Sequence, residues 1–271
     1  MTKYLYDKLV EAAPPTKPAF LEKGDLMHIM LAEYYREKMK PVEERLKHLE
    51  MIEKAIMLGR QRVVTMDLDV IESEDIVIST FRDYCLYWQN DNYLPVAVEQ
   101  AMVIPIYERP DSDEGEGLRV LFQLIVDIIF ENQQGHRIWT DHKTRSRNDN
   151  NPIALSNQFM AYAHLSGTNR SMRNNVGFQT SLPPEKKFTR DFFPYPKAVL
   201  EHWVGWTVYR AQFIDACIKE DHFPPDFTKC GDFGGCWFAD VCMQSPVDRE
   251  RFLNDNFIQK KRNVSIFERG V

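Results

Sequence analysis

Two apolar runs, Leu118–Phe130 and Arg137–Thr144, flank the turn-rich hexapeptide Glu131-Asn-Gln-Gln-Gly-His136, and each carries a carboxylate where a buried strand has no ordinary use for one. Runs of this kind joined by such a connection predict an antiparallel β-hairpin. Asp127 is the lone acid of the first run, and Asp141 stands two residues before Lys143 in the second. Alternation along a strand puts Asp141 and Lys143 on one face, and the hairpin lets Asp127 face Asp141 across it. An uncompensated carboxylate in an apolar strand is costly, so a metal or another cation is the expected partner. Carboxylates and an ammonium gathered at one point suit hydrolysis of a phosphodiester by metal-activated water.

The elements around the hairpin follow from periodicity. Gly24–Met39 and a charged segment from Pro41 to about Gly59 are spaced as helices, with a third helix at Glu74–Trp88. Val96–Tyr107 reads as a strand ahead of the hairpin, and an acidic loop, 109–117, joins the two. A helix from Pro152 to Ser166, a strand at Asn174–Leu182 and a long helix at Tyr195–Glu220 come next. Helices, three strands, helix, strand and helix in that order predict an α/β sandwich around a mixed sheet. We divide the chain into an N-terminal helical region at 1–95, a core at 96–222 and a Cys-rich segment at 223–271, integrated as one domain.

With 271 residues, 44% of them hydrophobic, the chain can bury a sizeable core. No apolar run is long enough to span a bilayer and no leader is recognisable, which predicts a cytoplasmic protein. The formal charge of −6 argues against a general nucleic-acid coat. The charge is uneven, however: residues 141–190 hold eight Lys or Arg against three acids, a local +5 that would steer a phosphate backbone to this half.

Four ordered segments carry a family resemblance: Glu22-Lys-Gly-Asp-Leu-Met-His28 with Glu33 and Tyr34, Leu124-Ile-Val-Asp127, Thr140-Asp-His-Lys-Thr144, and Asn157-Gln-Phe-Met-Ala-Tyr162. Together with the Cys-rich tail they resemble the PD-(D/E)XK nucleases, and within them the RecB-like group with the AddB subunit, CRISPR adaptation nucleases and phage enzymes. The resemblance implies a restriction-endonuclease-like sandwich and a site for Mg²⁺ or Mn²⁺. It implies His28, Asp127, Asp141 and the backbone carbonyl of His142 as ligands, and Lys143 as the group that orients or deprotonates the attacking water. Gln158 and Tyr162, one helical turn apart, would position the DNA strand and the lysine, and Glu99 takes the place of a supporting glutamate. Where the family has a glycine three residues before the first aspartate, this chain has Leu124.

Cys230, Cys236 and Cys242 form a second constellation, three thiols within thirteen residues. In a cytosolic chain such spacing favours metal ligation over disulfides. The resemblance implies a 4Fe-4S cluster completed by a cysteine ahead of the nuclease motifs. None precedes His28, although Lys3-Tyr-Leu-Tyr6 resembles the segment just C-terminal to that cysteine in the family. Zn²⁺ on the same thiols is the alternative. Cys85 and Cys217 read as core residues.

The resulting expectation is a metal-dependent DNA nuclease acting on single-stranded ends or flaps, in recombination, repair or phage DNA processing, alongside a helicase or recombination protein. A catalytically silent module that holds DNA ends, and a nuclease directed at RNA, are the alternatives. Trp139, Phe159 and Phe178 are candidate stacking surfaces for unpaired bases, with core packing the competing role.

Overall fold

The computed structural model describes residues 12–13, 19–65, 74–109, 118–145, 155–224, 230–231 and 235–259. They fall into two compact units, one of residues 18–205 and one of residues 1–17 with 206–271. Among the described residues no helix is long and apolar enough to cross a membrane.

The larger unit is built on a five-stranded mixed sheet. In chain order its strands are β2 (Leu94–Arg109), β3 (Leu118–Glu131), β4 (Arg137–Arg145), β5 (Arg170–Gly177) and β6 (Phe188–Pro194), and they lie in that same order across the sheet. β4 and β5 run parallel; every other pair is antiparallel. The hairpin expected at 131–136 joins β3 to β4. Its turn closes through the amide of Gly135 on the Asn132 carbonyl, with Gly135 at φ 77° where a side chain would be strained.

Helices cover both faces. On one, α1 (Ala19–Lys38), α2 (His48–Thr65) and α3 (Glu74–Tyr87) pack over Ile128, Phe130, Ile138, Met172, Val176 and Phe188. Leu26, Met30, Leu31, Tyr34 and Tyr35 recur at helical spacing along α1 and are all buried, as an amphipathic helix on a sheet requires. α2 approaches α1 so closely at Gly59 that a Cβ there would stand 2.7 Å from Met30 Cγ. On the other face, α4 (Asn157–Leu165) and the start of α6 (Lys197–Lys219) pack over Leu124, Val126, Ile129 and Trp139. The short helix α5 (Pro184–Lys187) leads into β6.

This is the α/β sandwich around a mixed sheet that the sequence predicts, with local differences. The helix expected from Pro41 starts at His48, after a 3₁₀ turn at Val42–Glu44. Glu37 organises that corner, its buried carboxylate taking Lys54 Nζ at 2.8 Å and Lys40 Nζ at 2.9 Å. The strand expected at Asn174–Leu182 runs instead from Arg170 to Gly177, and β6 lies where the sequence predicts no strand. Both carry buried polar residues that hide the apolar signal. Of the acidic loop expected at 109–117, Arg109 ends β2 and 110–117 lie outside the described residues, as do the first residues of the helix expected from Pro152.

In the smaller unit, β1 (Ala12–Ala13) pairs antiparallel with β7 (Ile258–Gln259). Helices α7 (Ala239–Met243) and α8 (Arg249–Asn256) pack through Phe238, Val241 and Leu253, with Cys236 and Cys242 against them. Cys217 is buried here and Cys85 is buried in the larger unit, both as core residues.

A buried ion pair closes the α3 end of the sheet. The guanidinium of Arg190 grips both oxygens of Asp91, with the two side chains 6% and 4% exposed, and lies 3.8 Å from the centre of the Trp88 ring. Removing one member of such a pair strands the other charge. Arg190→Ala is therefore expected to cost about 3–5 kcal/mol in urea unfolding. Arg82→Ala, which breaks the exposed pair with Glu53, should cost under about 1 kcal/mol. Equal unfolding midpoints for the two variants would contradict the assignment.

Candidate active site

The site forms where β3 and β4 part. Their ladder runs from Glu131↔Arg137 to Ile128↔Thr140 and stops, so continuing the register sets Asp127 opposite Asp141 just past its last pair. Beyond that point the amide of His142 donates to Asp127 Oδ2 at 2.7 Å, a side chain standing in for the lost backbone partner. β3 also changes its facing there: Ile128 and Phe130 pack under α1–α3, while Leu124 and Val126 pack on the opposite cluster. Across on β2, Glu99 has φ 48°, a left-handed conformation inside a strand. Such strain in a non-glycine residue costs on the order of 1–2 kcal/mol and persists only where its surroundings impose it.

Asp127 is the hub. His28, from the middle of α1, brings Nδ1 to 3.2 Å of Asp127 Oδ2. His28, Glu99 and Asp127 each offer a ligand atom, and these atoms all lie within 4.8 Å of one another. Two carboxylates and an imidazole suit Mg²⁺ or Mn²⁺. Asp141 stands beside this triad and not within it. Gln158 Nε2 donates to its Oδ1 at 2.5 Å, and Lys143 Nζ lies 2.7 Å from its Oδ2. That buried Oδ2 makes no hydrogen bond beyond the lysine contact, which leaves it a lone pair for a cation. The residues present therefore fit a hard divalent ion.

Electrostatics agree. Burial raises Asp141, and the charge of Asp127 adds to it, so its carboxyl is pushed up to about 6 despite Lys143. Burial would raise Asp127 too, but the hydrogen bond and charge of His28 bring it below the usual carboxylate range. His28 is the mirror image: burial pulls it down, and Asp127 holds it above an ordinary histidine. Glu99 is raised by desolvation and by Asp127.

The support beneath the site is polar and buried. Tyr162 accepts from Gln158 Nε2 at 3.2 Å and donates to the Ile125 carbonyl at 3.0 Å, tying α4 to β3. On the other face Arg190 Nε donates to Asn174 Oδ1 at 2.9 Å, which turns the amide NH₂ of Asn174 toward His142 Nε2, 3.1 Å away. An amide NH₂ only donates, so Nε2 accepts and the ring proton sits on Nδ1, 3.8 Å from Asp127 Oδ2. Burial lowers His142 to about 3, consistent with a neutral ring. Tyr84 and Tyr35 complete the chain, with Tyr84 OH 3.1 Å from His142 Nε2 and 2.8 Å from Tyr35 OH.

The structure thus gathers His28, Glu99, Asp127, Asp141, Lys143, Gln158 and Tyr162 at one place, and it draws Glu99 closer to the ion site than the sequence suggested. Sequence reasoning missed Asn174, Tyr84, Tyr35 and Asp91; polar residues inside an otherwise buried segment were the available signal for Asn174. Trp139 and Phe159 are buried core residues, and Phe178 packs against the other core cluster. Leu124, the departure from the family glycine, is likewise buried. Cys236 closes on Cys230 through an amide hydrogen bond of 2.8 Å. Burial, with Cys236 and Cys230 nearby, raises the Cys242 thiol.

A family model described as the PD-(D/E)XK nuclease superfamily matches residues 2–243. No curated protein matches the chain. A solved structure titled "Crystal structure of SSO0001" is similar over 69% of this chain and 74% of that one, at 14% identity and a TM-score of 0.30, too loose a likeness to bear on the fold.

Because His28 carries a raised pKa, it must lose its proton to serve as a ligand. Mn²⁺ affinity is expected to rise with pH through the neutral range, with proton release visible as a buffer-dependent heat in titration calorimetry. His28→Ala and Asp127→Asn should each weaken binding at least about tenfold. A pH-independent affinity, or wild-type affinity in both variants, would refute the triad.

Proposed function

The chain belongs to the PD-(D/E)XK nuclease superfamily, and from that premise we propose that it is a metal-dependent nuclease that hydrolyses phosphodiester bonds in DNA at single-stranded ends or flaps. The observation that carries the reading is the convergence of His28, Glu99 and Asp127 on one point beside Asp141 and Lys143. His28, Glu99 and Asp127 would hold Mg²⁺ or Mn²⁺, with Asp141 and the His142 carbonyl as further ligands. The ion supplies an acidified water and neutralises phosphate charge.

The chain's own groups do the rest. Lys143, 41% exposed and anchored by Asp141, presents its ammonium to the attacking water, holds that water's orientation by donating to it, and offsets charge in the pentavalent transition state. Gln158 fixes Asp141 by its amide, so the carboxylate keeps one oxygen for the lysine and the ion. Tyr162 buttresses Gln158. Asp127 is steadied by the His142 amide.

The finer placement rests on the order of the motifs. Their succession from His28 to the Gln158–Tyr162 turn, with cysteines after it, supports a RecB-like enzyme of recombination, repair or phage DNA processing that works with a helicase or recombination partner. Cys230, Cys236 and Cys242 would hold a 4Fe-4S cluster, with Zn²⁺ as the rival. Anaerobic purification should then give a coloured, iron-containing protein; zinc alone would select the rival, and a colourless metal-free protein would remove both.

The deciding assay uses end-labelled single-stranded DNA, duplex DNA and RNA with Mn²⁺ or with EDTA. Cleavage of single-stranded DNA should require Mn²⁺ and fall about 10²-fold or more in Asp141→Ala and Lys143→Ala. Binding without cleavage would favour a silent end-binding module, and preferential cutting of RNA would redirect the enzyme to that substrate.

A further inference from the structure

Beyond Lys143 the same face of the sheet carries a second charged group that the chemistry above does not use. Alternation along β4 sends Asp141, Lys143 and Arg145 to one side. The parallel register sets Asp141 beside Arg173 and Lys143 beside Asn175, and the next strand adds Asp191 opposite Arg173 and Thr189 opposite Asn175. These side chains meet at one oxygen. Arg173 reaches Asp191 Oδ2 with Nε at 2.9 Å and Nη2 at 2.5 Å, and Asn175 Nδ2 donates to it at 2.8 Å. Arg145 Nη2 lies 3.8 Å from the same oxygen and also contacts Asn175 Oδ1.

Among the described residues two guanidiniums thus converge on this carboxylate, in a place only partly open to water. Arg145 is 19% exposed and Arg173 is 6% exposed, while Asp191 is 37% exposed. Two like charges brought together under partial burial gain from a further anion beside them. A planar fork of N–H donors is matched by phosphate oxygens, which it engages in pairs. Position sharpens the identity. Arg145 stands two residues past Lys143 on the same face, about 7 Å along the strand, comparable to one nucleotide step of an extended backbone.

We propose that Arg145 and Arg173, gathered on Asp191 by β4, β5 and β6, form a phosphate subsite that grips the nucleic-acid backbone one nucleotide from the diester presented to Lys143. The subsite builds on the nuclease reading and specifies how that site holds its substrate. Asp191 holds the two guanidiniums together and oriented when no strand is bound, and it competes with the incoming phosphate. The device reads the backbone and not the bases, so it confers grip and register without sequence preference.

The test uses the full chain in EDTA, where cutting is blocked, with a fluorescently labelled single-stranded oligonucleotide at several salt concentrations. Arg145→Ala should weaken binding about five- to tenfold at low salt and lower the slope of log Kd against log salt by about 0.7, the share of one phosphate contact on a single strand. Arg145→Lys should restore most of the affinity, and Arg82→Ala, remote in an exposed ion pair, should leave it unchanged. Asp191→Asn should tighten binding, a direction that a purely structural role for the cluster would not give. Circular dichroism checks each fold, and Arg145→Gln replaces the alanine variant if that one unfolds. Unchanged Kd and slope in the Arg145 variants, beside Mn²⁺-dependent cleavage by the wild type, overturn the subsite and leave the nuclease standing. Arg145-dependent binding without any cleavage by the wild type does the reverse, and no oligonucleotide binding by the wild type overturns both.

Discussion

Two carboxylates facing each other across parting strands repel, and the surroundings of Asp127 and Asp141 are organised around that repulsion. His28 and the His142 amide hold Asp127 ionised, while Asp141 is pushed toward its neutral form and shared between Lys143 and Gln158. A doubly charged cation between them would turn the repulsion into attraction. Below the site the compensation takes another form, a buried line of hydrogen bonds from Asp91 through Arg190 and Asn174 to His142. This line fixes a ring and its tautomer instead of supplying charge.

The central hairpin was legible because a single acid inside an apolar run is conspicuous, and the turn at Gly135 marks where the chain reverses. The pairing of Asp141 with Lys143 came from alternation alone. His28, Gln158 and Tyr162 carry no signal individually; each is an ordinary polar residue on an amphipathic helix, and only their order along the chain made them visible. The structure then gives each a partner within hydrogen-bonding or ion-pairing distance.

The remainder was hidden by long-range pairing. Arg170, Ser171 and Arg173 give the start of β5 the look of a loop, and Arg190 and Asp191 do the same for β6. Arg190 is satisfied by a group far off in sequence, Asp91 at a separation of 99 residues, and Lys187 by Asp83 at 104. Periodicity weighs only neighbours along the chain, so it treats a buried, fully partnered arginine as an exposed one. The same blindness concealed the left-handed turn of Glu99, which local sequence gives no reason to expect.

A glycine at position 99 would adopt φ 48° freely and relax β2, but it would remove one of the three donors that converge beside Asp127. Strand comfort and ion affinity therefore pull this position in opposite directions. Relief of the backbone at this position would come only with the loss of a carboxylate from the site.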